Sequence, residues 1–198
     1  QGRLKIGTSH HIGLHHLPHH LKQYVQHYPD VTLDVHFVDS EQAHEQVLAG
    51  ELELAFLTLP PIGDERLSYL TIWNDPLVFV TSPFHPLAQQ SQLKLEDLIA
   101  YPSLLPAAHT YTSQITLAEF EKKSLKPKIS MSNNPLESIR MLVSIGLGWS
   151  VLPKTLVNQD LKQLDLNLDM QRQLGMVWHP ARIQSKAAEE LINMMQLG

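Results

Sequence analysis

The first 60 residues alternate between strand and helix patterns, and this alternation constrains the fold more than any other feature of the chain. Residues 3–7 predict a strand, and residues 14–27 carry leucine and valine at helical spacing. Residues 31–37 alternate apolar and polar side chains, as a half-buried strand does. A capped helix over 40–49 and a mostly apolar strand over 52–57 follow. Strand–helix–strand–helix–strand is the pattern of a parallel sheet with right-handed crossovers.

A second unit with the same alternation follows a strand at 77–81. Its predicted elements are a helix at 95–98, a strand at 103–105, a helix ending near 123, a strand at 128–132, a helix from 135 to 145 and a strand at 149–152. A strand at 174–178 and a helix at 185–195 end the chain. We therefore expect an α/β protein with two Rossmann-like lobes around a cleft. Lobe I comprises 1–80, with 176–198 returning to it, and lobe II comprises 81–175.

Composition excludes several classes of function for the chain itself. The formal net charge is −5 and the pI is near 6.2, so the chain has no excess of Lys and Arg with which to bind nucleic acid. Cysteine is absent, which excludes disulfides, thiolate nucleophiles and Cys-based metal sites. The longest apolar runs are about half a membrane span, and residues 1–20 lack the basic and apolar segments of a signal peptide. We expect no membrane contact.

The segment 4–14 predicts a strand that stops at a polar, glycine-flanked turn and continues into a helix. Such a turn points backbone N–H groups and hydroxyls beyond the strand end, which suits a small anionic or polar ligand. Ser9 is a candidate N-cap at this turn. A cap can exchange partners with a ligand, so capping and ligand binding both remain open for Ser9.

Four stretches carry a family pattern in order and spacing. They are Leu4–Thr8 with Leu17-Pro18 and Tyr28–Val31, the Gly–acidic–Leu–acidic–Leu–Ala run within Val47–Phe56, His85–Ala88, and Glu137–Pro153 with its Gly-Leu-Gly-Trp turn. Together they resemble the effector-binding domain of LysR-type transcriptional regulators, a type 2 periplasmic-binding-protein-like fold. The resemblance extends over the whole chain.

The resemblance implies more than the chain itself contains. It implies an N-terminal winged helix-turn-helix and linker helix upstream, so that DNA is contacted only through that missing domain. It also implies a cytoplasmic, non-enzymatic protein that forms homodimers or homotetramers. A small effector (a carboxylate, an amino acid or an inorganic anion) would bind between the lobes and control transcription, without a cofactor or a metal.

By family position, the effector contacts fall on turns at strand ends. In the first lobe these are Thr8, Ser9, His10 and His11 at one turn and Asp39 and Ser40 at the next. In the second lobe they are Tyr111, Thr112, Asn133, Asn134 and Trp149.

Three of these residues have a second interpretation. Asp39 departs from the small hydroxyl residues of many family members, and it is either a solvent-facing cap or a partner for a ligand ammonium. Asn134 also stands where a helix cap belongs, with Pro135 at the first helical position. Trp149 either walls an apolar part of the pocket or lies in the core.

Histidines are concentrated near the start of the chain, with seven of the twelve in residues 10–27. His15/His19 and His16/His20 have the i, i+4 spacing with which two imidazoles on one helix bind zinc. No third ligand and no intervening Glu accompany either pair, so we expect solvated or interface-lining histidines instead of a metal site. Arg66 and Arg140 are interpreted as surface or salt-bridge residues and not as part of the effector site.

Two alternatives to the regulator remain at this stage. A solute-binding protein of a transporter has the same bilobal architecture and would require a secretion signal. A small hydrolase would use Ser9 with His10 or His11, but the sequence has no G-x-S-x-G elbow and no evident orienting acid.

Overall fold

The computed structural model describes residues 2–132, 135–182 and 185–198. These residues form nine strands: β1 (Gly2–Thr8), β2 (Val31–Phe37), β3 (Leu54–Thr58), β4 (Ser68–Thr81), β5 (Pro102–Leu105), β6 (Lys128–Ser132), β7 (Ser150–Pro153), β8 (Lys162–Gln163) and β9 (Met170–Trp178). They also form seven α-helices: α1 (His10–His15), α2 (Pro18–His27), α3 (Ser40–Ala49), α4 (Leu95–Leu98), α5 (Tyr111–Glu121), α6 (Leu136–Ser144) and α7 (Lys186–Leu197). Short 3-10 helices lie at Pro86–Gln89 and Lys154–Leu156.

The chain divides into two compact units. Unit 1 is Gln1–Asn74 with Gln173–Gly198, and unit 2 is Asp75–Arg172. The chain passes between them within β4 and again within β9. The unit boundaries therefore lie at 74/75 and 172/173, whereas the lobe boundaries expected from the sequence lie at 80/81 and 175/176.

Unit 1 contains a mixed sheet with the strand order β2-β1-β3-β9-β4. β1 pairs parallel with β2 and β3, as the alternation in the first 60 residues predicts, and β3 pairs antiparallel with β9. Leu4, Ile6 and Phe56 from these strands lie in the main apolar cluster of the unit. Tyr24 of α2 is buried in the same cluster, and its hydroxyl donates to the Ala187 carbonyl of α7 at 2.8 Å. This bond joins two helices that are 163 positions apart.

Unit 2 is built around the second half of β4. This half pairs antiparallel with β7 and β8, and β5 pairs parallel with β6. Trp149 is fully buried there, with its ring 5.8 Å from that of Phe79 and 5.5 Å from that of Phe120. Its indole N–H donates to the carbonyls of Leu98 and Tyr101, which satisfies the polar atom inside the apolar cluster.

The single helix predicted for 14–27 is wrong, because the segment contains two helices. α1 ends at His15, and α2 begins with Pro18 at its first helical position. A proline inside a continuous helix would remove one hydrogen bond and clash with the carbonyl four residues earlier. At the first position of a new helix it has neither effect.

Two strands are longer than predicted, and one helix begins later. β4 starts at Ser68 and not at 77, and β9 starts at Met170 and not at 174. The polar Asn74-Asp75-Pro76 segment has the composition of a turn, which hid the first half of β4. Pro135 is the N-cap of α6 and not its first residue, because its ψ of 119° is extended.

Two buried histidines, His44 and His85, should make the free energy of unfolding depend on pH. Nδ1 of His85 accepts a hydrogen bond from the Leu87 N–H at 3.0 Å, which requires that this nitrogen carry no proton. Burial lowers the pKa of His85 and that of His44 below the ordinary value of about 6.5. As the pH falls below about 6.5, the unfolded chain therefore binds more protons than the folded chain. The free energy of unfolding should decrease on acidification, by up to about 1.4 kcal/mol per pH unit for each proton.

Urea unfolding at pH 7.5, 6.5 and 5.5 measures this dependence. His85→Asn removes one titrating ring and keeps an acceptor at the N-cap, so its stability should fall less steeply with acidification than that of the wild type. A wild-type stability that is constant or rises between pH 7.5 and 5.5 would contradict the expectation.

Candidate functional site

The carboxyl ends of three parallel strands meet in unit 1, where the first candidate contacts lie. Thr8, the last residue of β1, is in register with Phe37 at the end of β2 and with Phe56 in β3. The backbone joins these ends further: the Ser9 N–H donates to the Phe56 carbonyl at 3.1 Å, and the Val38 N–H donates to the Thr8 carbonyl at 3.0 Å. This edge of a parallel sheet is where α/β folds bind their ligands.

Thr8 and Ser9 use their hydroxyls differently. Thr8 is fully buried, and its Oγ1 donates to the Ser9 carbonyl at 3.0 Å, so it stabilises the turn. Ser9 is the half-buried N-cap residue of α1, with extended φ and ψ of −66° and 155°, but its hydroxyl makes no capping hydrogen bond. Of the two hydroxyls, that of Ser9 is the one available to a ligand.

His10 and His11 follow on α1. His10 is exposed, and its ring lies edge-on to Phe37 with 5.8 Å between centroids. His11 is half-buried, and its ring packs 4.9 Å from that of His15 and 5.6 Å from that of His16. Both imidazoles therefore belong to a set of ring contacts beside the strand-end turn.

The two spaced histidine pairs do not share a helix. His15 closes α1 whereas His19 lies in α2, and His16 lies between the helices whereas His20 is in α2. His16 and His20 instead pack on Trp73, at 5.0 and 5.7 Å between ring centroids. Among the described residues, no group of three or more His, Asp or Glu side chains is placed to hold a metal ion.

Asp39 and Ser40 stand at the start of α3, after the end of β2. Ser40 is buried, and its Oγ accepts a hydrogen bond from the Thr58 N–H at 3.0 Å, which ties α3 to the end of β3. Asp39 is the N-cap residue and is exposed, but its carboxylate makes no capping hydrogen bond. Its negative charge is thus presented at the same edge of the sheet as Ser9.

In unit 2 the candidate residues Tyr111 and Thr112 are the first two residues of α5. Thr110 caps this helix, because its Oγ1 accepts from the Ser113 N–H at 3.3 Å. Both candidates are buried, with Thr112 only 6% exposed. Oγ1 of Thr112 accepts a hydrogen bond from Nη1 of Arg172 at 3.3 Å.

Arg172 and Asp75 form a buried ion pair that the sequence did not indicate. The Arg172 side chain is 5% exposed and that of Asp75 2% exposed. Nε of Arg172 donates to Oδ2 of Asp75 at 2.9 Å, and Nη2 donates to the same oxygen. Arg172 therefore connects Asp75 in β4 to Thr112 in α5, a candidate site residue.

One sequence signal was available for Arg172. It lies between Met170 and Leu174 at the inward positions of an alternating strand, where an Arg requires a buried partner. No local pattern identifies that partner, because Asp75 is 97 positions away.

The remaining candidates do not contribute described contacts to a site. The side chain of Trp149 is fully buried in the core of unit 2, which agrees with the second of its two interpretations. Asn133 and Asn134 lie outside the described residues.

No helix in the described ranges is both long and apolar enough to span a membrane.

The fold is the mixed α/β, periplasmic-binding-protein-like fold expected from the sequence. The chain belongs to the LysR substrate binding domain family, whose model matches residues 1–197. The resemblance found in the four sequence stretches is therefore confirmed.

The similar curated proteins are transcriptional regulators. The chain is 28% identical over 204 residues to the probable RuBisCO transcriptional regulator of Synechocystis sp., which covers 96% of this chain and 59% of that protein. It is 30% identical over 173 residues to the HTH-type transcriptional regulator CysB of Haemophilus influenzae, which covers 83% of this chain and 52% of that protein. The chain thus spans between half and three fifths of the length of these relatives.

Solved structures show the same fold. The effector binding domain of QuiR in complex with shikimate aligns with a TM-score of 0.87 at 19% identity, covering 98% of this chain and 95% of that one. The Synechocystis CcmR regulatory domain in complex with 2-PG aligns with a TM-score of 0.83 at 22% identity, covering 100% and 97%. At these identities the likeness establishes the fold alone.

Proposed function

We propose that this chain is the ligand-sensing regulatory domain of a LysR-type transcriptional regulator. A small polar or anionic effector binds to it and controls DNA binding by the full-length protein. The observation that carries the proposal is the match of the family model to residues 1–197. The rival interpretation as a transporter's solute-binding protein gains no support from the named relatives, which are regulators.

The strand-end residues define the effector chemistry that we propose. The Ser9 hydroxyl, which makes no capping bond, offers a hydrogen bond in unit 1, and the exposed Asp39 carboxylate offers a partner for an ammonium group. The first turn of α5 places Thr112 beside a buried guanidinium in unit 2. Carboxylates, amino acids and inorganic anions fit these groups, and Asp39 favours an amino acid over a dicarboxylate.

The regulator of which this chain is a part would act on DNA through a winged helix-turn-helix outside the chain. The relatives named as regulators are nearly twice as long as the matched region, which leaves room for such a domain. We propose a cytoplasmic homodimer or homotetramer. The effector changes the population of DNA-binding states only by as much as its affinity differs between those states, so a tenfold shift requires about 1.4 kcal/mol.

An enzymatic function is not proposed. A hydrolase would need the Ser9 hydroxyl within hydrogen-bonding reach of an imidazole base. The named relatives are transcriptional regulators, so they give the hydrolase interpretation no support.

A thermal-shift screen tests the proposal directly. The panel contains the common amino acids, shikimate and other carboxylates, inorganic phosphate and sulfate, and neutral sugars as controls. A ligand that binds only the folded chain at 100 times its Kd stabilises it by about 2.7 kcal/mol, which raises the Tm of a domain of this size by about 5–10 °C. A panel in which no compound raises the Tm would contradict the proposal.

Ser9→Ala should lower the affinity for the compound found in that screen about tenfold or more while leaving the ligand-free Tm nearly unchanged. The Ser9 hydroxyl makes no capping bond, so its loss should cost less than about 0.5 kcal/mol of stability. Thr110→Ala is the matched control, because the Thr110 hydroxyl does cap α5 and its loss should cost about 1 kcal/mol. Calorimetric titration and thermal unfolding of both variants measure the two effects. Equal losses of Tm in Ser9→Ala and Thr110→Ala would contradict the prediction that the Ser9 hydroxyl contacts the effector and does not cap its helix.

A further inference from the structure

Four serine and threonine hydroxyls lie at the N-cap and in the first half of α5, and three of them donate their protons to backbone carbonyls. Thr110 donates to the Ala107 carbonyl at 2.8 Å, Ser113 to the Pro106 carbonyl at 2.6 Å, and Thr116 to the Thr112 carbonyl at 3.0 Å. These three hydroxyls are thereby committed to the fold.

The fourth hydroxyl, that of Thr112, has the opposite role. It accepts from Nη1 of Arg172, and no acceptor for its own proton is found among residues 2–132, 135–182 and 185–198. A hydroxyl carries one proton and two acceptor lone pairs. With the guanidinium on one lone pair, the Thr112 hydroxyl keeps its proton for donation to another group.

Asp75 fixes the orientation of the Arg172 guanidinium, which donates to the Thr112 hydroxyl. Both Nε and Nη2 of Arg172 donate to Oδ2 of Asp75, which leaves the other terminal nitrogen, Nη1, directed at Thr112. Arg cannot lose its proton in proteins, so it never becomes an acceptor for Thr112. Because both charged side chains are almost fully buried, solvent does not compete for these bonds.

We propose that Arg172 is a positioning residue that holds the Thr112 hydroxyl as a hydrogen-bond donor, so that the first turn of α5 selects an acceptor oxygen of the effector. The class of ligand group selected is a carboxylate, phosphate or sulfate, whereas an ammonium or amide N–H offers this hydroxyl no bond. The guanidinium behind the hydroxyl strengthens the donor by polarising it. This inference rests on the proposed function and specifies which chemical group of the effector unit 2 contacts.

The experiment compares two probes across matched variants. The two probes are shikimate, a carboxylate, and its methyl ester, in which the anionic oxygen is lost. Inorganic phosphate serves as an additional, compact anion for comparison. The variants are Thr112→Val, which removes the hydroxyl at constant shape, Thr112→Ser, which keeps it, and Arg172→Lys, which keeps the charge but cannot make the same fork of bonds. Thr116→Val and Arg140→Lys make the same chemical changes elsewhere in unit 2.

The preference of the wild type for acid over ester, measured as a ratio of Kd values, is the decisive quantity. Thr112→Val and Arg172→Lys should each reduce it about tenfold or more, since a hydrogen bond to a charged group is lost. Thr112→Ser should stay within about threefold of the wild type, and the two control variants should leave the ratio unchanged even where their Tm falls.

Three results overturn the inference. Equal loss of acid and ester affinity in Arg172→Lys would assign Arg172 a purely structural role. A Thr112→Val variant that binds acids as tightly as Thr112→Ser would exclude the hydroxyl. A wild type that binds neutral compounds of the panel but no acid would overturn this inference alone, whereas a wild type that binds nothing in the panel would overturn the proposed function with it.

Discussion

Gly175→Ala should destabilise unit 1 by about 3 kcal/mol or more, which corresponds to a fall in Tm of about 6–12 °C. A Cβ at Gly175 in β9 would lie 2.9 Å from the carbonyl carbon of Leu70 in β4 and closer still to its oxygen. Both atoms are backbone, so no side-chain rotation relieves the overlap and one strand must move. Urea unfolding and thermal melting of the purified variant measure the loss.

Gly2→Ala is the matched control for this substitution. Gly2 also lies in a strand, but a Cβ there meets no atom within 4 Å. Its free energy of unfolding should change by less than about 0.5 kcal/mol. If Gly175→Ala were as stable as Gly2→Ala, the close approach of β9 to Leu70 would be wrong.

Local sequence signals were sufficient for much of the first 60 residues. The bounds predicted for β2 agree with the structure, and α3 begins at Ser40 and ends before Gly50, whose φ of 80° suits a helix C-cap. Period-2 alternation and capping residues are short-range features, so one sequence contains all the information that they require. Strands β4 and β9 are longer than predicted because polar residues interrupt the apolar pattern of each: Asn74 and Asp75 in β4, and Gln171 to Gln173 in β9.

The sequence indicated which elements carry the candidate residues but not which hydrogen bonds each side chain makes. Family spacing placed Ser9, Asp39 and Thr112 on turns, and the structure puts each at the start of a helix. Which of several hydroxyls is committed to a carbonyl depends on rotamers and on distant partners. Thr110 and Thr112 are two positions apart, yet one caps α5 and the other accepts from Arg172.

The buried ion pair escaped prediction for a related reason. Asp75 stands in a segment with turn-like composition, and Arg172 precedes the apolar part of β9. Asp75 alone suggests a surface position, since charged side chains are seldom fully buried, and the alternation that places Arg172 inward does not identify its partner. Only the pairing of strands from opposite ends of unit 2 makes their burial possible.

Removing one partner of this pair should have the other large effect on stability. Asp75→Leu leaves the Arg172 guanidinium buried without a counter-charge, and Arg172→Met does the same to the Asp75 carboxylate. Each single variant should lose about 3–5 kcal/mol, or fail to accumulate as folded protein. The double variant replaces both charges with apolar side chains, so it should recover most of that loss.

Urea unfolding of the four chains gives the coupling between the two positions, which should be at least about 2 kcal/mol. Because the pair is buried, the coupling should change little between 0.05 and 1 M salt. Glu119→Gln is the control: it breaks the exposed Lys122–Glu119 pair in the same unit and should cost less than about 1 kcal/mol. Additive losses in the double variant would mean that Arg172 and Asp75 are each satisfied independently, and Arg172 would then not be oriented toward Thr112 by its partner.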